Sequence, residues 1–137
     1  MTWSGDVCGL VDEFRSGRLH PVEVMRETLS AIASSDLNAF SFIDEDGALA
    51  AATNADVDAP FGGVPLGVKE LDAVTGWPLT EASAVFADRV AEHTSTMVSR
   101  SVAAGAIPVG LTTSSEFGGV NLTRTRSEEH TSELQSP

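Results

Sequence analysis

The chain has 137 residues, 42% hydrophobic and 20% charged, an ordinary globular balance that excludes wholesale disorder and fibrous classes. Eight basic against 20 acidic side chains leave a net charge of −12, which argues against direct contact with nucleic acid or an anionic membrane. No apolar run reaches the length of a membrane span, and Met1–Asp6 lacks the basic and apolar regions of a secretory signal. A single cysteine, Cys8, can form no internal disulfide and no zinc set, so a cytoplasmic location is expected.

Val7, Leu10, Val11 and Phe14 recur at helical spacing, predicting a first helix capped by Ser4 and ended at Gly17. His20-Pro21 opens a second helix, with Pro21 at its first position. Val22, Met25, Leu29 and Ile32 form its apolar stripe, and Ser34-Ser35-Asp36 ends it. Phe40 to Ile43 reads as a short strand. The Ala-rich segment from Asp46 to about Asp56 reads as a helix with Ala48, Ala51, Ala52 and Ala55 on one face. A glycine-rich stretch, residues 60–65, then feeds Leu66-Gly67-Val68-Lys69-Glu70-Leu71, which reads as a buried strand. Thr75 to Pro78 is a turn or loop. A third clear helix, capped by Thr94 or Ser95, carries Met97, Val98 and Val102 and ends at Gly105. Ala106 to Leu111 follows as another buried strand. Strand, helix, strand in this order predicts an α/β fold with parallel pairing.

The C-terminal segment breaks this pattern. Residues 126–137 have no apolar periodicity, and a widely used sequencing adapter, read as codons, translates to Arg126 through Ser136. The expected organisation is a domain portion over residues 1–125 and a non-native, disordered tail over 126–137.

Lys69 is the candidate catalytic residue. It is the only lysine among eight basic residues, and it stands in an apolar strand between Val68 and Leu71. An ammonium buried there must find partners or lose its proton, and a neutral, desolvated lysine is a usable general base. A strand-end lysine reaching solvent along its alkyl stem fits the same pattern.

Gly63-Val64-Pro65-Leu66-Gly67-Val68-Lys69-Glu70 resembles the Gly-Val-Pro-x-x-Val-Lys-Asp segment of the amidase signature family. Leu37 to Phe40, the Ala-rich stretch 48–56, Val102 to Ala106 with Gly110, and Thr112 to Phe117 resemble further pieces of the family pattern, in order, over most of residues 6–125. The resemblance implies the N-terminal part of the amidase-signature fold, incomplete here, with N-terminal helices followed by βαβ elements of a mixed sheet. It also implies a Ser/cis-Ser/Lys mechanism in which Lys69 accepts a proton through a bridging serine. A second serine then attacks the amide carbonyl to form an acyl-enzyme, and backbone N–H groups hold the oxyanion. Both serines are expected beyond Thr125, so the chain as written is expected to be inactive. Ser114 and Ser115 align with variable positions, not with the catalytic serines, and Ser127, Ser132 and Ser136 fall in the tail.

Departures from the family pattern are Glu70 for Asp, Thr113 for Asn, Leu111 for Lys, and Ser101 on an otherwise apolar stripe. Strand alternation points Glu70 away from Lys69. Cys8 reads as a small packing residue, His20 as a helix-start residue, His93 as a loop residue and Glu116-Phe117 as structural. None has metal-ligand spacing. The resemblance implies no cofactor and no metal. The implied partner is a small-molecule amide substrate, with a homodimer left open. Two alternatives stand beside a free-standing amidase. One is the amidase subunit of a tRNA-dependent amidotransferase. The other is a non-catalytic α/β interaction domain in which Lys69 is structural.

Overall fold

The computed structural model describes residues 5–120. Helix α1 spans Val7–Arg15, α2 Pro21–Ser34, strand β1 Phe40–Ile43, α3 Glu45–Thr53, β2 Pro65–Lys69, α4 Thr96–Ala103 and β3 Ile107–Thr112. Single 3-10 turns lie at Ala84–Phe86 and Glu116–Gly118.

Among the described helices, α1 and α3 begin where an aspartate side chain satisfies a free backbone donor. Asp6, rather than the expected Ser4, caps α1 by accepting the Gly9 N–H at 2.7 Å; Ser4 lies outside the described residues. Gly17 follows the end of α1 at φ +70°. Pro21 occupies the first turn of α2 after His20, where its missing N–H costs nothing. Asp44 caps α3 through the Gly47 N–H at 3.1 Å. Ser95 stands at the N-cap of α4 without a side-chain cap bond. Thr94 is used elsewhere: its hydroxyl accepts the Thr75 N–H at 3.1 Å and pairs with the Thr75 hydroxyl at 2.9 Å.

The sheet order is β1-β3-β2. β2 and β3 run parallel, as the strand–helix–strand pattern predicts, and β1 joins β3 antiparallel, so the sheet is mixed. Two irregularities bend it. The register steps from Leu66↔Pro108 to Gly67↔Gly110, leaving Val109 as the extra residue, and from Phe40↔Thr112 to Phe42↔Leu111, leaving Ser41 as the extra residue. Such bulges re-aim side chains. Ile107 and Val109 consequently join Met25, Leu29, Ala48 and Ala52 in a core against α2 and α3, while Leu111 joins Val68 and Val98 in a second core under α4. Gly110 sits where β1 crosses close, and a Cβ there would run into the Phe42 carbonyl.

Several packing expectations fail for one reason: helices and strands are covered on fewer faces than their apolar content suggests. The segment around Lys69 is an edge strand in which only Val68 is buried, not a wholly buried strand. On α4 only Val98 is buried, whereas Met97 and Val102 are 53% and 47% exposed. On α3, Ala48 and Ala52 are buried and Ala51 is exposed. Cys8 is exposed and does not pack, because α1 turns Leu10, Val11 and Phe14 inward instead. The expected tail, residues 126–137, lies outside the described residues.

Candidate active site

The candidate site is the carboxyl end of the parallel pair β2–β3. Crevices beyond the carboxyl ends of parallel strands are where open α/β sheets place their ligands. Lys69 is the last residue of β2 and pairs in register with Thr112, the last of β3. It is exposed, the strand-end arrangement rather than the desolvated one. Its face of the strand includes Gly67, where a Cβ would meet the Thr112 methyl at 3.0 Å and the Phe40 ring at 3.6 Å. The opposite face carries Val68 onto Val98 and Leu111. The lysine therefore projects from the side that α4 does not cover.

Backbone bonds continue past the ladder. The Asp72 N–H donates to the Lys69 carbonyl at 2.8 Å, and the Glu70 N–H donates to the Thr112 carbonyl at 3.0 Å. Glu70 turns inward, 5% exposed, opposite to Lys69 as strand alternation predicts. Its carboxylate accepts the Ser114 N–H. Ser114 and Ser115 are both buried. The Ser114 backbone N–H is held by Glu70, and the Ser115 hydroxyl donates to the Val120 carbonyl at 2.7 Å, inside the loop that follows β3.

A second loop closes on the first. Thr80 to Ser83 form a tight turn, with the Ser83 N–H on the Thr80 carbonyl at 2.9 Å and both central residues, Glu81 and Ala82, at positive φ. That is the backbone pattern of a type I′ turn, which favours Asn and Gly. The buried Ser83 hydroxyl donates to Glu116 Oε1 at 2.6 Å, and the Phe117 N–H donates to the Glu81 carbonyl at 3.0 Å. Phe86 meets Phe117 edge-on at 6.0 Å. Arg89 lies 5.1 Å over the Phe86 ring and bonds Glu81 at 3.1 Å. Glu116 and Phe117 thus tie the loop after β3 to the turn at 80–83. The partner turn at 80–83 has no sequence signal, since neither Glu nor Ala advertises positive φ.

His20 opens α2 and His93 lies in the loop before α4, both exposed. Among the described residues no cluster of His, Cys, Asp and Glu could hold a metal ion, and no helix is long and apolar enough to cross a membrane.

The mixed α/β fold has counterparts among known proteins. A family model described as Amidase matches residues 23–132. A subunit of the glutamyl-tRNA(Gln) amidotransferase of Akkermansia muciniphila is 36% identical over 107 residues, covering 77% of this chain and 23% of that protein. A chain from a vestigial protein complex tied to the origins of an s-triazine catabolic enzyme superposes with a TM-score of 0.77 at 28% identity, covering 82% of this chain and 27% of that one. The 6-aminohexanoate cyclic dimer hydrolase shares the fold at a TM-score of 0.81 and 22% identity, over 89% of this chain and 26% of that one. The chain belongs to the amidase signature family. It spans about a quarter of the length of these relatives.

Proposed function

We propose that this chain is the lysine-bearing part of an amidohydrolase that cleaves carboxamide C–N bonds through a Ser/cis-Ser/Lys set, with Lys69 as the proton acceptor. The observation that carries this reading is the placement of the only lysine at the carboxyl end of β2, in register with the end of β3 and on the uncovered face. A lysine base works when it is desolvated and hydrogen-bonded. Protein beyond the described residues must therefore close over that face and bring the bridging serine to Nζ. Lys69 then takes the proton that the bridging serine relays from the nucleophile. The nucleophile adds to the amide carbonyl, the amine leaves protonated, and water releases the acyl group. The Ser115 hydroxyl is engaged by the Val120 carbonyl, and neither Ser114 nor Ser115 aligns with a catalytic serine, which supports assigning both catalytic serines to sequence beyond Thr125 and reading the 137-residue chain as inactive by itself.

Relatives that are subunits of glutamyl-tRNA(Gln) amidotransferases favour one second reading. In it the same lysine chemistry releases ammonia from glutamine for transfer within a multi-subunit enzyme. The acidic charge of this chain then leaves nucleic-acid contact to a partner.

The test starts from the gene. Sequencing past the Thr125 codon is expected to reveal an in-frame Gly-Gly-Ser-Ser-Gly-Gly-Ser stretch; an immediate natural stop would support a non-catalytic domain instead. The complete frame should release ammonia from simple carboxamides, and Lys69→Ala should lower that rate by about 10²–10⁴-fold, the range for a lost acid–base group. Ammonia release from glutamine that depends on added partner subunits would favour the amidotransferase reading. Ammonia release by the 137-residue chain alone, abolished by Lys69→Ala, would overturn the assignment of the serines to later sequence.

A further inference from the structure

Glu70 is the only charged side chain in the buried class among the described residues. Among those residues no salt bridge reaches it; its carboxylate is held by a backbone donor, the Ser114 N–H. A buried carboxylate is expensive, and an apolar residue of similar volume would fill the space at no such cost. What the carboxylate supplies is a charge-assisted bond of defined direction, and its location gives that bond a use. The ladder between β2 and β3 ends at Lys69↔Thr112. Beyond it, the Glu70 N–H is fixed to Thr112 and the Glu70 side chain to Ser114, two residues further along the partner strand's chain. The loop so gripped is itself secured, by Ser115 on Val120 and by Ser83 on Glu116. Leu71 lies against it as well, since a Cβ at Gly118 would come within 2.8 Å of Leu71 Cδ1. Lys69, the terminal residue of an edge strand, is thereby flanked by a clamp one residue away, on the opposite face.

We propose that Glu70 is a positioning residue for Lys69. By stapling the loop after β3 to the end of β2, it fixes the backbone from which the lysine reaches its proton donor. The proposal rests on the reading of Lys69 as the base. Displacement of a catalytic group by about 1 Å costs as much as 10²-fold in rate, so the clamp should act on turnover rather than on substrate binding.

The test uses the complete reading frame, with active sites counted by labelling to completion with a fluorophosphonate. Glu70→Gln and Glu70→Met are matched in size and differ in whether an oxygen can accept the Ser114 N–H. Glu70→Met is expected to lower kcat per labelled site by about 10–100-fold with KM within about 2-fold of wild type, and Glu70→Gln to recover most of that loss. Wild-type kcat per labelled site in Glu70→Met, with only the number of sites reduced, would mean that Glu70 serves stability alone and would overturn the proposal. Should Glu70→Met not fold, Glu70→Leu decides, because it fills the space without offering the Ser114 N–H an acceptor. A fall in kcat per site at unchanged KM supports the clamp, and wild-type turnover overturns it. Lys69→Ala is measured in parallel. If it stays active, the base assignment fails; if it is dead while Glu70→Met turns over normally, only the positioning role fails.

Discussion

Just past the C-terminus of α1, Arg18 folds back on Glu13 and donates two bonds, Nε to Oε2 at 2.7 Å and a terminal nitrogen to Oε1 at 2.8 Å. The side-chain hydrogen bond from Arg18, reinforced by its charge, holds the Glu13 carboxyl below its ordinary value of 4.5 and raises Arg18 in return. For a carboxyl whose folded-state pKa is depressed, the pair's contribution is complete above the unfolded value and is lost as pH falls through the folded one. Glu13→Gln should therefore lower the urea midpoint slightly at pH 7, and the gap from wild type should close as pH falls through the depressed folded-state value. Both groups face water, so added salt should narrow the gap at pH 7 too; a gap that persists at low pH would assign the effect to packing. At this scale Lys69 was legible as a singular residue in the sequence, and alternation placed Glu70 on the opposite face. Glu70's engagement of Ser114 was not legible, because that bond joins positions 44 residues apart.

Among the elements, α2 shows most clearly how packing selects from an apolar pattern. Val22, Met25, Leu29 and Ile32 share a stripe, yet only Met25 and Leu29 are buried in the core with α3 and β3. Met25 is wholly enclosed, whereas Val22 and Ile32 are only partly buried and pack against the margin of the same core. Met25→Ala should cost about 2–5 kcal/mol by loss of burial and creation of a cavity, read as a lowered urea midpoint. Met97→Ala, on the exposed side of α4, should change stability by no more than about 0.5 kcal/mol. Equal losses at both positions would contradict the packing described. Element identity and order were legible from period, proline and glycine. The bulges at Ser41 and Val109 were not, since they answer to the closure of three strands rather than to local sequence.

Over the whole molecule, apolar surface exceeds what the described residues can cover. A groove of about 650 Å³ runs between α1, α2 and the start of the sheet, lined by residues including Leu10, Val24, Ile32, Phe40 and Val64. Val85 and Leu37 are 82% and 78% exposed, and among the described residues β1 and β2 are both edges. Open edges and apolar grooves invite association. The isolated 137-residue chain should bind an apolar dye such as ANS and unfold over a broad temperature range without a sharp transition. A cooperative transition in a monodisperse, dye-free monomer would instead establish an autonomous domain.

The sequence by itself determined the class: helix and strand periods, capping and turn residues, and an ordered set of motifs around one lysine sufficed for a mixed α/β unit of the amidase signature family. These are local properties, written in spacing and side-chain type. Only the tertiary structure decided which faces are covered, that β2 is an edge, that Lys69 stands exposed where two parallel strands end, and that Glu70 is buried beneath it. Those features depend on residues far apart in the chain meeting in space, where burial and hydrogen-bond satisfaction are settled.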